Sequence, residues 1–153
     1  MEWTRDGYTI SDDPARVDVD AVHRYLHDES YWARGVPRDV VERSIAGSLP
    51  FGLYAPDGSL AGFARVVTDR ATYGYLADVF TLDAHRGSGL GVWLVEVVLS
   101  HPELQGLRRW VLFTEDAHGL YERFGFEREG LRKGHYSRAG EDVDAILMAY
   151  RVS

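Results

Sequence analysis

A chain of 153 residues, 45% of them apolar, can enclose one sizeable hydrophobic core, and a single domain over 1–153 is expected. Its 24 acidic and 17 basic residues leave a net charge of -7, which repels phosphate backbones and argues against nucleic acid as a partner. The sequence has no cysteine, so disulfides, a thiolate nucleophile and thiolate metal ligation are excluded. Charges at Glu2, Arg5, Asp6, Asp12 and Asp13 break up any apolar leader, and no apolar run approaches the roughly 20 residues that span a bilayer, so a cytoplasmic protein without membrane contact is expected.

The first element predicted is a short edge strand at Tyr8–Ser11, closed by Asp12-Asp13-Pro14. Val19, Val22, Tyr25 and Leu26 recur at helical spacing behind Asp18 and Asp20, either of which can cap a helix. Gly35-Val36-Pro37 breaks it, and a second short helix follows Asp39 and ends at Gly47. Phe51–Ala55 and Leu60–Thr68 form a hairpin around Pro56-Asp57-Gly58-Ser59, because Asp-Gly supplies the positive φ of a tight turn. Tyr73–Leu82 is strand-like. Simple alternation puts Tyr73, Tyr75, Ala77, Val79 and Thr81 on one face and Leu76, Asp78 and Phe80 on the other. Gly91–Ser100 carries a broad apolar surface, Val92, Trp93, Leu94, Val95, Val97, Val98 and Leu99, which predicts a deeply buried helix closed by His101-Pro102, with Trp93 in the core. A strand at Arg109–Thr114 carrying Trp110, a short helix at Asp116–Phe124 stopped by Gly125, and a last strand at Val143–Tyr150 complete a mixed α/β sheet. The glycines and charges of Gly130–Gly140 suggest a hairpin or a solvated loop.

The stretch Arg86-Gly87-Ser88-Gly89-Leu90-Gly91 lies between a predicted strand and the most apolar helix. Alternate glycines allow close backbone approach, their N–H groups sit at a positive helix terminus, and Arg86 adds a forked cation, a combination that suits an anion better than a merely solvated loop. A dinucleotide fingerprint fails, since counting from Gly87 its last glycine falls on Val92. A nucleoside-triphosphate loop also fails, for want of Gly-Lys followed by Ser or Thr.

Val79-Phe80-Thr81-Leu82 followed by Arg86-Gly87-Ser88-Gly89-Leu90-Gly91 resembles the pyrophosphate motif of the GNAT superfamily, Q/R-x-x-G-x-G/A, with Arg86, Gly89 and Gly91 in its signature positions. Leu112–Phe126, with Tyr121 four residues before Gly125, resembles the family's second block. The likeness covers about Phe51 to Tyr150, and less closely the N-terminal helices. Ser30-Tyr31-Trp32-Ala33, Thr68-Asp69 and Asp78-Val79-Phe80 resemble a simple bacterial branch. It implies a mostly antiparallel, twisted sheet of six to seven strands flanked by about four helices, with central strands that splay apart.

It also implies an acetyl-CoA-dependent N-acetyltransferase. Backbone groups of Val79, Phe80 and Thr81 would bind the pantetheine arm, and the turn Arg86, Gly87, Ser88, Gly89, Leu90, Gly91 the pyrophosphate. Tyr121 matches the position of the acid that protonates the leaving thiolate. Asp78, the carboxylate on the strand facing the gap, is a candidate base in an apolar surround, or a buried structural aspartate. Asp116 stands where many relatives have a cofactor-contacting Asn, and serves equally as a helix cap. Tyr31, Trp32 and Tyr75, with Asp28 and Glu29, are candidates to line the acceptor site, where aromatics and carboxylates suit a cation. The acceptor is a small-molecule or peptide amine. His118 is a proton carrier or a surface residue, and His23 with His27 lacks a third ligand, so no metal is expected. Homodimers are frequent in the family, though no sequence feature marks an interface. The rival from another class is a non-catalytic acyl-CoA-binding regulatory module, which would keep Arg86–Gly91 and dispense with Tyr121.

Overall fold

A computed structural model describes residues 1–114, 117–138 and 141–151, with backbone alone for His118, 130–138, 141–147, 150 and 151. Its chain order is β1 (Glu2–Arg5), β2 (Tyr8–Ser11), α1 (Val19–Asp28), α2 (Arg38–Ala46), β3 (Leu49–Tyr54), β4 (Leu60–Thr68), β5 (Tyr73–Thr81), α3 (Leu90–Ser100), β6 (Arg109–Thr114), α4 (His118–Glu122), β7 (Glu127–Arg138) and β8 (Glu141–Arg151). One 8-stranded sheet runs β1-β2-β3-β4-β5-β6-β8-β7. Among the described residues only β5 and β6 pair in parallel, and α3 makes the crossover that a parallel pair requires.

The sheet has one strand more than the six to seven expected. Arg5 and Tyr8 pair across Asp6-Gly7, both at positive φ (50° and 83°), the geometry of a two-residue hairpin turn. β1 therefore takes the edge, and β2 lies inside it, paired to β3. The helices fall close to expectation. Asp18 caps α1 by accepting the Ala21 N–H at 3.0 Å, whereas α2 starts at Pro37 without a side-chain cap. The predicted helix at Asp116–Phe124 is shorter, His118–Glu122, and Gly125 follows it at φ 92°. Of the glycine-rich stretch Gly130–Gly140, residues 130–138 lie in β7, which pairs with β8, and 139–140 are outside the described residues.

Two cores sandwich the sheet. Trp93, Leu94, Val95, Val97 and Val98 of α3 pack with Phe51, Leu53, Leu76, Trp110 and Met148 on one face. Val22, Tyr25 and Leu26 of α1 and Val41 and Ile45 of α2 pack with Tyr54, Phe63 and Phe80 on the other. Leu76 and Phe80 belong to opposite cores, which corrects the alternation expected for β5. Phe63 pairs with Phe80 and Arg65 with Ala77, so Asp78 and Val79 together oppose Ala64 alone. This bulge puts Asp78 at φ 52° and inverts the facing of every residue beyond it. Among the described residues no helix is long and apolar enough to cross a membrane.

A buried polar cluster ties the N-terminal strands to the end of α3. His101, 1% exposed, accepts the Glu103 N–H on Nδ1, so its ring proton sits on Nε2 and is donated to Asp12 at 2.7 Å. The Met1 amino group also donates to Asp12, at 2.8 Å. Burial alone would push the Asp12 carboxyl up; the hydrogen bonds from the Met1 ammonium and from His101, with the Met1 charge, outweigh it and hold the group below its ordinary value. The ionised form is thus the one the fold favours, so its stabilisation is complete at neutral pH and disappears as pH falls below about 4. Asp12→Ala is expected to lower Tm by several degrees at pH 7, on the order of 2 kcal/mol for charge-assisted hydrogen bonds. Melting curves taken at successively lower pH should show the difference from wild type shrinking once the pH is below about 4.

Candidate active site

β5 and β6 are paired only where Tyr73, Gly74 and Tyr75 face Arg109, Trp110 and Val111. Beyond Tyr75 they part, and β6 continues against β8 as far as Thr114. Among the described residues the separation leaves one edge of the second half of β5 without a strand partner, and two cavities open along it.

The larger cavity, about 550 Å³, runs from β5 to the start of α3. Val79, Phe80 and Thr81 form its strand side, and Arg86, Gly87, Gly89, Leu90 and Gly91 its turn side. Gly87 and Gly89 have φ of 89° and 78°, values that strain any residue with a β-carbon, and no atom lies within 4 Å of where such a carbon would stand. Open space therefore lies above these amides. Gly89 is the N-cap of α3 and caps it with no side chain, so the first turn of an 11-residue helix opens onto this cavity with its positive end. Arg86 stitches the turn to its neighbours: Nε donates to the Thr81 carbonyl at 2.9 Å, Nη1 meets Asp83 at 2.6 Å and Nη2 donates to the Tyr25 hydroxyl at 3.3 Å. Ser88 is on the same turn but outside the cavity lining, and Asp116 lies outside the described residues.

The smaller cavity, about 310 Å³, lies between the α1–α2 layer and the parted strands. Tyr31, Trp32, Tyr75 and Asp78 all line it, whereas Glu29 lines the larger cavity and Asp28 is exposed beside His27. The bulge aims the Asp78 carboxylate at a pair of donors: Trp32 Nε1 at 2.8 Å on one oxygen and Arg65 Nε at 2.6 Å on the other. The apolar surround expected for Asp78 is thus a polar one, built from an ion pair whose side chains are 17% and 11% exposed. Burial pushes the Tyr75 phenol up, and the Asp78 charge adds to the rise, so Tyr75 stays a neutral donor in the physiological range.

Tyr121 lines both cavities, as do Tyr31, Trp32, Val79 and Ala117. It is 7% exposed, and its ring meets Phe126 edge-on at 6.0 Å. The Thr114 hydroxyl accepts the Ala117 N–H at 2.9 Å and so fixes the entry to α4. His118 opens α4, with its side chain outside the described residues. His23 and His27 stack edge-on and bond to Val36 and Asp28, and no group of three or more His, Asp or Glu that could hold a metal occurs among the described residues.

Three contributors escaped the sequence reading. Tyr25 stacks on Phe80 at 3.9 Å and meets Arg86; burial raises its phenol, with the Arg86 charge opposing. His85 lines the larger cavity with Nδ1 held 2.9 Å from the Tyr8 hydroxyl. Arg65 is the partner of Asp78. Tyr25 fits a helical apolar stripe equally well, and the other two are placed by strand register.

A glycine turn suited to an anion and a second cavity thus meet between the parted strands. The Acetyltransferase (GNAT) family profile matches residues 19–126. An acetyltransferase-class protein of Gibberella zeae is 35% identical over 142 residues, 79% of each chain. A GNAT-family crystal structure from Xanthomonas campestris pv. campestris superposes with TM-score 0.78 at 46% identity, over 80% of this chain and 85% of that one. In fold alone the chain also resembles a phosphinothricin acetyltransferase of Sinorhizobium meliloti solved with acetyl-CoA, with TM-score 0.75, 16% identity, and 96% and 89% covered. The chain belongs to the GNAT family and is an acetyltransferase.

Proposed function

We propose that this protein is an N-acetyltransferase that moves the acetyl group of acetyl-CoA to a primary amine by direct attack. The observation that carries the reading is the meeting of the two cavities at Tyr121 and Val79. A module that only bound acyl-CoA would need the cradle and have no use for the second cavity.

The residues present fit the donor. The left-handed Gly87 and Gly89, the open space above them and the uncapped N-terminus of α3 suit a diphosphate. Val79, Phe80 and Thr81 offer main-chain groups to the amides of the pantetheine arm. Bound there, acetyl-CoA supplies an activated acyl group as a thioester. Without a cysteine the chain has no thiolate to take up the acyl group, which accords with direct attack. Tyr121 donates its phenolic proton to the departing sulfur. Asp78 accepts a proton from the incoming amine, directly or through a water. Trp32 and Arg65 hold that carboxylate in place, and Tyr31, Trp32 and Tyr75 wall the acceptor.

Titration calorimetry tests the donor site. CoA should bind, and pantetheine, which lacks the diphosphate, should bind at least about tenfold more weakly, because several charge-assisted hydrogen bonds are lost. Equal affinity for the two would remove the diphosphate from the Arg86–Gly91 turn, and no heat with CoA would end the reading.

A further inference from the structure

Resting on that reading, we propose that the acceptor is a free α-amino acid with an apolar or aromatic side chain. Among the described residues that line the smaller cavity, Arg65 and Asp78 alone carry full charge, and they neutralise each other. Apart from Ser44 and Thr114, the remaining described walls are apolar or aromatic, including Trp32, Val36, Val40, Val41, Tyr75 and Phe113. They ask for a compact apolar group, and about 310 Å³ is room for one amino acid rather than for a folded surface.

The ion pair itself is only partly used. Arg65 spends Nε on Asp78 and Nη1 on Ser48, at 2.6 and 3.1 Å, and Nη2 has no partner among the described residues. Nη2 is not among the buried atoms left unsatisfied, so it is not enclosed, and Arg65 lines this cavity. A guanidinium with free donors beside an apolar wall selects a carboxylate. Asp78 accepts one donor on each oxygen and keeps a second lone pair on each for an amine. Only a molecule whose amine and carboxylate are as close together as Asp78 and Arg65 satisfies both at once, and an α-amino acid bears the two on one carbon. A peptide N-terminus brings an uncharged carbonyl in place of the carboxylate and leaves the guanidinium unanswered. In the transfer, the N–C bond forms as the thioester C–S bond breaks; the nitrogen gives a proton to Asp78 and the sulfur takes one from Tyr121, yielding an N-acetylamino acid and CoA.

The test measures kcat/KM by CoA release for phenylalanine, leucine and methionine, for their amides, for phenethylamine, for spermidine and for a short peptide beginning with Phe. The free acids are expected to exceed their own amides by about 10- to 100-fold, the worth of a forked charge-assisted contact. Arg65→Lys, which keeps the charge and loses the fork, should narrow that ratio through KM while leaving CoA affinity by calorimetry unchanged. The acid-to-amide ratio of the wild type stands even if the variant folds poorly. Amides, peptide or spermidine used as well as the acids, or no turnover of the panel by protein that binds CoA, would overturn the amino-acid assignment and leave the donor site intact. Failure to bind CoA would instead remove the reading on which it rests.

Discussion

Replacing Tyr121 with Phe is expected to lower kcat by about 10²- to 10⁴-fold at a pH where chemistry limits turnover, the usual worth of a positioned general acid. The thiolate that leaves has a pKa near that of a free thiol, about 8.5, and a phenol near 10 can protonate it as the C–S bond breaks. Tyr121 alone among the described tyrosines combines the bridging position with a place on α4 after the parted β6; Tyr31, the other phenol lining both cavities, comes from the segment that follows α1. The contrasting role is packing, since the ring is buried and lies against Phe126. Phe keeps that packing, so the variant should melt within a few degrees of wild type and bind CoA unchanged. A thioester with a more acidic thiol should recover much of the lost rate, because its departure needs less protonation. An unaltered kcat in the variant would end Tyr121's role as the acid.

Much of this site is written in local chemistry. The glycine turn needs left-handed geometry at Gly87 and Gly89, and the helix behind it is apolar because both its neighbours and the sheet cover it, so turn and helix are readable together. Asp57-Gly58 names its hairpin for the same reason, with Gly58 at φ 88°. The same signal at Asp6-Gly7 was present too, but Glu2-Trp3-Thr4-Arg5 is short and charged. What makes it a strand is tertiary: Trp3 packs against Phe51 and His101 from the far side of the sequence. The bulge at Asp78 could not be read from alternation. A period of two assumes that each residue has one partner, and a single extra residue sends Leu76 and Phe80 to opposite cores. The Arg65–Asp78 pair shares that cause, since it joins residues 13 apart through a register that the bulge sets. Tyr25 was concealed differently: one ring fills a core position against Phe80 while its hydroxyl reaches Arg86, and periodicity registers only the first.

Asp78→Asn separates chemistry from scaffolding at that bulge. Asn tolerates the left-handed region, so φ of 52° is no obstacle to the variant's backbone. The amide offers one acceptor oxygen where the carboxylate offered two, and its NH₂ must face either Arg65 or Trp32, which are both donors. Arg65, with its side chain 17% exposed, then loses its counter-charge. Removing one partner of a fully enclosed ion pair costs 3–5 kcal/mol, so about 3 kcal/mol suits this partly open one, a fall in Tm of roughly 6–12 °C. If Asp78 is also the base, kcat/KM near neutral pH should drop by about 10²-fold or more, with CoA affinity kept because the cradle lies on the other side of Tyr121. Raising the pH should then restore activity in the variant more steeply than in wild type, since an amine that has already lost its proton needs no base. A variant that melts early yet keeps the wild-type pH profile would leave Asp78 as an anchor for Trp32 and Arg65 and hand the amine's proton to water.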